Sequence, residues 1–211
     1  MSAEPARRIV GILLAAGRGA RFGGDKLLAR ARSDPHSRTS ASAGSEGTVA
    51  PFEAIGVLAF RKLQTVVPEV VAVVRPDDAA LAASLSAAGA RIVHCANADD
   101  GMGASLACGV RSTKDAAGWI VALGDMPWIE SSTIACVVAA ISGGAVVAAP
   151  FYAGRRGHPV GFGAACFEEL AALKADDGAK SVVASCGDSL VRIDVDDAGT
   201  LRDVDRRSDL E

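Results

Sequence analysis

The sequence predicts an α/β protein built on a single doubly wound, mostly parallel sheet with helices on both faces. Three observations carry that prediction. Short apolar runs alternate with longer segments of helical character from one end of the chain to the other. Several of the runs are apolar at consecutive positions, as strands covered on both faces require. The first run leads straight into a glycine-rich turn, which is how such a sheet opens onto a crevice at the carboxyl ends of its strands.

The elements follow in order. Strands are expected at Ile9–Leu14, Val70–Val74, Arg91–His94, 119–123, 145–149 and 190–195. Between them, helices are expected over 53–66, 76–88, 102–114, 131–142, 164–175 and 179–187. One stretch breaks the alternation. Residues 30–51 are rich in Ser, Ala, Gly and Thr and have no apolar period, so a mobile polar surface loop is expected there. With 211 residues and no compositional break, the chain reads as one domain over 1–211. Half of its residues are apolar, enough to bury a substantial core without staples.

The bulk composition excludes several classes. The formal charge of -3 leaves no general basic surface, so no nucleic-acid partner is expected. Cys95, Cys108, Cys136, Cys166 and Cys186 form neither a C-x-x-C pair nor an even, clustered set. They read as reduced, mostly buried thiols of a cytoplasmic protein. The apolar run 9–14 is too short to span a bilayer and ends in glycines rather than a cleavage site, so no membrane association is expected.

After the first strand stands Leu14-Ala15-Ala16-Gly17-Arg18-Gly19-Ala20-Arg21-Phe22-Gly23-Gly24-Asp25-Lys26. Glycines let successive N–H groups turn toward one concavity and let a phosphate approach the main chain. Arg18, Arg21 and Lys26 add the charge that a triphosphate requires. A dinucleotide fingerprint is disfavoured, because the last glycine spacing is one residue too long and no acidic residue closes a second strand about twenty residues later. A P-loop is disfavoured because Asp25 precedes Lys26, and Leu27 stands where Ser or Thr would bind magnesium. A plain strand-to-helix turn would not need three cations in this short stretch.

A second constellation follows another apolar run, at Gly124-Asp125-Met126-Pro127. A carboxylate released at a strand end suits a hard cation such as Mg2+, which takes few protein carboxylates and completes its shell with phosphate oxygens and water. The competing reading is a turn aspartate ahead of a helix that Ser131 or Ser132 would cap. Near the end of the chain, Asp203-Val204-Asp205 would present two carboxylates to the same side of an extended segment, either as further metal ligands or as part of a solvated tail.

The stretch LLAAGRGARFGGDKLL resembles the L-A-(A/G)-G-x-x-x-R-(F/M)-G-x-x-K opening of the MobA-like NTP transferases, the nucleotidyltransferase family that includes molybdenum-cofactor cytidylyl- and guanylyltransferases. The resemblance implies a Rossmann-like nucleotidyltransferase fold in which Leu14, Ala15, Ala16, Gly17 and Gly19 wrap the NTP and Arg21 and Lys26 meet its phosphates. Gly-Asp-Met-Pro is similar to the family's G-D-x-P, which implies that Asp125 binds the metal. Asp203 and Asp205 match a late D-x-D-T-P-x-D-L element in which Arg206 and Arg207 here replace Thr and Pro. The 97–106 segment resembles the cytidylyl branch's N-x-x-x-G-M-x-x-S-L and puts Ser105 near the nucleotide, with ordinary helix capping as its competitor. Gly154-Arg155-Arg156-Gly157-His158-Pro159-Val160 resembles that branch's G-x-R-G-H-P-V, which implies Arg156 and His158 on the acceptor side. A histidine before proline can equally be structural.

Together these imply a Mg2+-dependent enzyme that transfers CMP from CTP to the phosphate of a molybdopterin-type acceptor, with a molybdoenzyme or its maturation chaperone as a partner. Ala16 favours the cytidylyl branch, because the guanylyl branch carries glycine there and the extra methyl can exclude one base class. Other readings remain open at this point: a guanylyltransferase, a sugar- or polyol-phosphate cytidylyltransferase, and a non-catalytic nucleotide-binding or cofactor-insertion protein, which the altered late element favours. A nicotinamide-dependent oxidoreductase is the weakest rival.

Overall fold

The computed structural model describes residues 8–19, 22–32, 52–175 and 178–210. Ala20, Arg21 and positions 33–51 of the expected polar loop therefore lie outside the described residues.

The run IVGILL forms β1 (Ile9–Leu14) at the middle of the main sheet. It is hydrogen-bonded in parallel to β4 (Val70–Val74) on one side and to β6 (Gly118–Leu123) on the other. β5 (Arg91–His94) extends the sheet in parallel beyond β4 and forms one edge. Beyond β6 come β9 (Val160–Gly163), β7 (Val147–Tyr152) and β10 (Leu190–Asp194), with the short β8 (Arg155–Arg156) paired to β7. A separate two-stranded ribbon joins β2 (Arg30–Ala31) to β3 (Glu53–Ala54).

Side chains alternate across a strand, so an all-apolar run feeds two cores at once. On one face Leu13, Val70, Ala72, Val74, Ile120 and Ala122 pack with α1 (Ile55–Gln64), α2 (Ala79–Ala87) and α4 (Ser131–Ser142), through Phe60, Leu63, Leu81, Leu85, Ile134 and Val137. On the other, Val10, Ile12, Val71, Val73, Trp119 and Val121 pack with α3 (Met102–Arg111), α5 (Phe167–Ala171) and α6 (Lys180–Ser185), through Leu106, Val110, Leu170, Val182 and Val183. This is the doubly wound architecture that the uninterrupted apolar runs predict. Each large side chain removed fully from water contributes roughly 1.5–3 kcal/mol. The one indole in the second core keeps its N–H satisfied, donating to Thr113 Oγ1 at 2.9 Å.

The structure departs from the sequence reading in several places. Arg30 and Ala31, the first residues of the expected polar loop, form β2, and Glu53 and Ala54 of the expected helix 53–66 form β3 opposite it, so that α1 begins only at Ile55. β7 covers Val147–Tyr152 rather than 145–149, because the chain leaving α4 spends Gly143, Gly144 and the residues just after them on a turn. The helix expected over 164–175 is a 3-10 turn plus α5 and stops at Ala171. The largest difference is β9, which runs antiparallel to both β6 and β7. Its four residues contain two glycines and give no periodic signal. The glycines are there for packing: a Cβ on Gly161 would stand 2.6 Å from Ile141 of α4, so only glycine lets that helix lie directly on the strand.

Two of the five cysteines, Cys95 and Cys166, are buried, whereas Cys136 is exposed. Burial pushes the thiols of Cys108 and Cys166 up to about 11, which keeps them protonated and unreactive. Among the described residues no helix is long and apolar enough to cross a membrane.

Candidate nucleotide and metal site

β1, β4, β5 and β6 all point their carboxyl ends at one crevice, so the residues that follow each strand meet there. After Leu14 the backbone is held at the sheet edge by Gly124 N–H donating to the Leu14 carbonyl and Ala15 N–H donating to Val73, both at 2.9 Å. The loop then turns away at Gly19, whose φ of +57° is left-handed and whose carbonyl accepts from Phe22 N–H at 2.9 Å. Its return brings Lys26 back under the loop. Between loop and sheet lies a cavity of about 370 Å3 whose lining includes Leu14, Ala16, Gly17, Gly19, Lys26, Ser105 and Asp125. Seven of the positions singled out in the sequence, from three separate segments, thus share one wall. Ala15 does not: its side chain is buried in the core.

Lys26 and Asp125 meet at the floor of the cavity, with Nζ donating to Asp125 Oδ2 at 2.7 Å and both side chains largely shielded. Asp205 Oδ1 lies 3.8 Å from the same ammonium. The C-terminal segment is stitched in from below, since Val204 is fully buried and its N–H donates to the Asp125 carbonyl at 2.9 Å. Asp209 Oδ2 accepts from the N–H groups of Asp205 and Arg206 at 2.8 and 2.7 Å, which holds its carboxyl below the usual range and fixes the turn that presents Asp205. Asp203, expected to point the same way, is exposed, and among the described residues no ion pair joins it to Lys26. The segment is not a strand, so the expected alternation does not operate there.

An ammonium seated between two carboxylates marks a point where a cation is favourable. The donor set of hard oxygens suits Mg2+ or a similar ion that draws its remaining ligands from phosphate and water. Asp125 and Asp205 fit such an ion. Among the described residues no group of three or more His, Cys, Asp or Glu side chains forms a self-sufficient metal cage.

At the other end of the cavity Arg18 grips Asp99 through two bonds of 2.9 Å, from Nε to Oδ1 and from Nη2 to Oδ2. The buried Arg75, which follows β4, also pairs with Asp99 and donates from Nη1 to the Ala16 carbonyl at 3.1 Å. The two guanidinium groups, Arg18 first, hold the Asp99 carboxyl down at about 2. Ser105 sits in the first turn of α3, nine-tenths buried, with its hydroxyl 3.5 Å from the Gly101 carbonyl. That long contact leaves the hydroxyl available to a ligand in the cavity.

Arg156, expected on the acceptor side, is exposed on β8. Gly157 N–H donates to Pro150 and His158 N–H to Thr200, at 2.8 and 3.0 Å, which moors this segment between β7 and the C-terminal arm. His158 Nδ1 is buried without a hydrogen-bond partner. Burial foremost, then the charge of Arg156, pushes the imidazole down to about 4 against the opposing pull of Asp125. It is therefore neutral at physiological pH, which suits a hydrogen-bonding role better than that of a proton donor.

The sequence reading did not single out Arg75 or Asp99. The signal was present: an arginine directly after a fully apolar strand, ahead of Pro76, has no solvent-side reason to stand at the crevice edge.

The profile of the MobA-like NTP transferase domain matches residues 11–191. None of the curated proteins compared with the chain matches it. Among solved structures, the chain is similar to Rv0371c from Mycobacterium tuberculosis H37Rv (24% identity, TM-score 0.77, 98% of this chain and 96% of that one). A structure of that protein in complex with manganese matches at 22% identity and TM-score 0.71, covering 96% and 95%. A nucleotidyl transferase from Methanothermobacter matches at 20% identity and TM-score 0.72 over 96% and 94%. A CMP:2-keto-3-deoxy-manno-octonic acid synthetase complexed with CTP matches at 12% identity and TM-score 0.69 over 95% and 94%. These likenesses show the fold, and the profile match over most of the chain shows the family: the protein belongs to the MobA-like NTP transferases, a family of nucleotidyltransferases.

Proposed function

We propose that the protein transfers CMP from CTP to the phosphate of a molybdopterin-type acceptor, releasing pyrophosphate. The observation that carries this reading is the cavity in which the glycine loop, Lys26, Ser105 and Asp125 converge. The nucleotide lies along the loop, with its base toward Ala16 and Ser105 and its phosphates toward Lys26. By the resemblance of the loop to the family's opening, the phosphates fall to Arg21 as well, a residue outside the described ones. The Ala16 methyl narrows the base end in favour of a pyrimidine. The complex of a similar synthetase with CTP is in keeping with that choice.

An oxygen of the acceptor phosphate attacks the α-phosphorus, forming a new P–O bond as the bond to the bridging oxygen breaks and pyrophosphate carries away the electron pair. Ionised acceptor phosphate needs no general base. The chain's work is to position two anions and to neutralise them. Lys26 meets the charge that builds up on the leaving pyrophosphate, and Arg156 holds the acceptor phosphate through its planar fork of donors. His158, neutral, offers the acceptor a hydrogen bond. Asp125 and Asp205 would hold Mg2+, which would supply charge neutralisation at the phosphate oxygens. The manganese complex of a similar protein supports a divalent ion.

The test is pyrophosphate release from each of the four NTPs in the presence of molybdopterin and Mg2+. CTP is expected to react fastest, and Asp125→Asn to lower turnover by about 10^3-fold. Full turnover by that variant would remove the metal site, and a GTP preference would overturn the base assignment.

A further inference from the structure

One buried charged group in the crevice is not used by the proposed chemistry. Arg75 is 8% exposed, and a buried guanidinium is tolerated only where its donors are matched. Nη1 is spent on the main-chain carbonyl of Ala16 and Nη2 on the carboxylate of Asp99. Nε makes no hydrogen bond, although Asp77 Oδ1 lies 3.4 Å away. Its two satisfied partners come from different walls: Ala16 from the loop after β1, and Asp99 from the turn between β5 and α3. With Gly17, Arg18, Lys26 and Leu27, Arg75 lines both this cavity and a neighbouring one of about 400 Å3.

We infer that Arg75 is a positioning residue that sets base preference, by pinning the Ala16 backbone and the Asp99 carboxylate at the separation that one class of base fits. The inference rests on the reading of the cavity as a nucleotide site. A loop with glycines at 17 and 19 has little stiffness of its own, so the place of the Ala16 methyl depends on what holds its carbonyl. Arg75 holds it from the sheet side, with a group that is planar and anchored at the end of a fully buried strand. Arg18 has a different standing. It is exposed and shares Asp99 with Arg75, so it can leave for an incoming anion without stranding the carboxylate. Lys26, Asp125 and Asp205 form their own cluster of ion pairs, in which the ammonium meets both carboxylates. Both cations line the cavity, but they pair with different carboxylates, Asp77 and Asp99 for Arg75 and Asp125 and Asp205 for Lys26.

The experiment is calorimetric titration of the full chain, as wild type, Arg75→Met, Arg75→Lys and Asp99→Asn, with CTP, GTP and inorganic tripolyphosphate in the presence of Mn2+. Arg75→Met is expected to weaken CTP by at least about tenfold and to bring the CTP-to-GTP affinity ratio close to one, while tripolyphosphate stays within about twofold of wild type. Arg75→Lys keeps the charge but reaches only one partner at a time, and recovers part of the preference. Should Arg75→Met fail to fold, Arg75→Lys and Asp99→Asn carry the same comparison. An equal loss for CTP, GTP and tripolyphosphate would reduce Arg75 to a general support of the fold and overturn the inference, as would unchanged CTP binding. A wild type that binds tripolyphosphate but discriminates among no nucleotides also overturns it, whereas a wild type that binds none of the three removes the nucleotide-site reading itself.

Discussion

Replacing Lys26 with methionine removes the ammonium that stands 2.7 Å from Asp125 Oδ2 and 3.8 Å from Asp205 Oδ1, while keeping most of the apolar stem. Its effect on metal binding has two opposite signs. Without nucleotide, the ammonium and a divalent ion compete for the same two carboxylates, so the variant should bind Mn2+ more tightly than wild type. Two unit charges about 4 Å apart interact by roughly 4 kcal/mol at an effective dielectric near 20 and by about 1 kcal/mol in water. The side chains of Asp125 and Asp205 are 24% and 44% exposed, so water reaches both and the lower end applies. A gain of about 1.4 kcal/mol corresponds to roughly tenfold tighter Mn2+. With CTP present, Lys26 serves the phosphates, and the variant should bind the CTP–Mn2+ pair more weakly. Free Mn2+ measured by electron paramagnetic resonance during titration reads both quantities on one sample. Unchanged or weaker Mn2+ binding without nucleotide would refute the competition, and tighter binding in both conditions would refute a role for Lys26 at the phosphates.

Two further outcomes are expected. His158 has a folded-state pKa of about 4, below the value of about 6.5 for an unfolded chain, so between those values the unfolded state binds more protons. Its contribution to stability is full above about pH 6.5 and is lost as pH falls toward 4. His158→Gln should flatten that part of a Tm-versus-pH curve, and an unchanged slope would show that the imidazole is not held neutral. Asp197, buried, accepts from Glu130 N–H, Thr133 Oγ1 and Gly199 N–H at 2.9, 2.7 and 2.9 Å, tying the C-terminal arm to the start of α4. Asp197→Ala should cost about 2–4 kcal/mol in denaturant unfolding and weaken Mn2+ binding by displacing the segment that carries Asp205, whereas a loss below about 0.5 kcal/mol would show that the arm is held by its apolar contacts alone.

Most of the sheet was legible because its signal is local. A strand such as VVAVV buries every side chain and can be read without knowing its neighbours. β9 was not legible, since Gly161 and Gly163 owe their places to Ile141 of α4 and to the backbone at Ala145. Asp205 could be listed as a candidate but not separated from Asp203, because the choice between them is made by Val204 docking under Asp125. Ala15 looked equivalent to Ala16 in the motif, yet successive residues leaving a strand face opposite sides, and only one of the two methyl groups reaches the cavity.

By itself the sequence determined the architecture, the glycine loop and the carboxylate at the end of β6, all of which are expressed in contiguous residues whose periodicity or spacing has one physical reading. The tertiary structure alone decided which charges meet. Lys26 is joined to Asp125, and Arg75 to Ala16 and Asp99, across gaps of 99, 59 and 24 residues. No local rule spans such separations. They are set when parallel strands align their carboxyl ends and bring every loop that follows them to the same edge of the sheet.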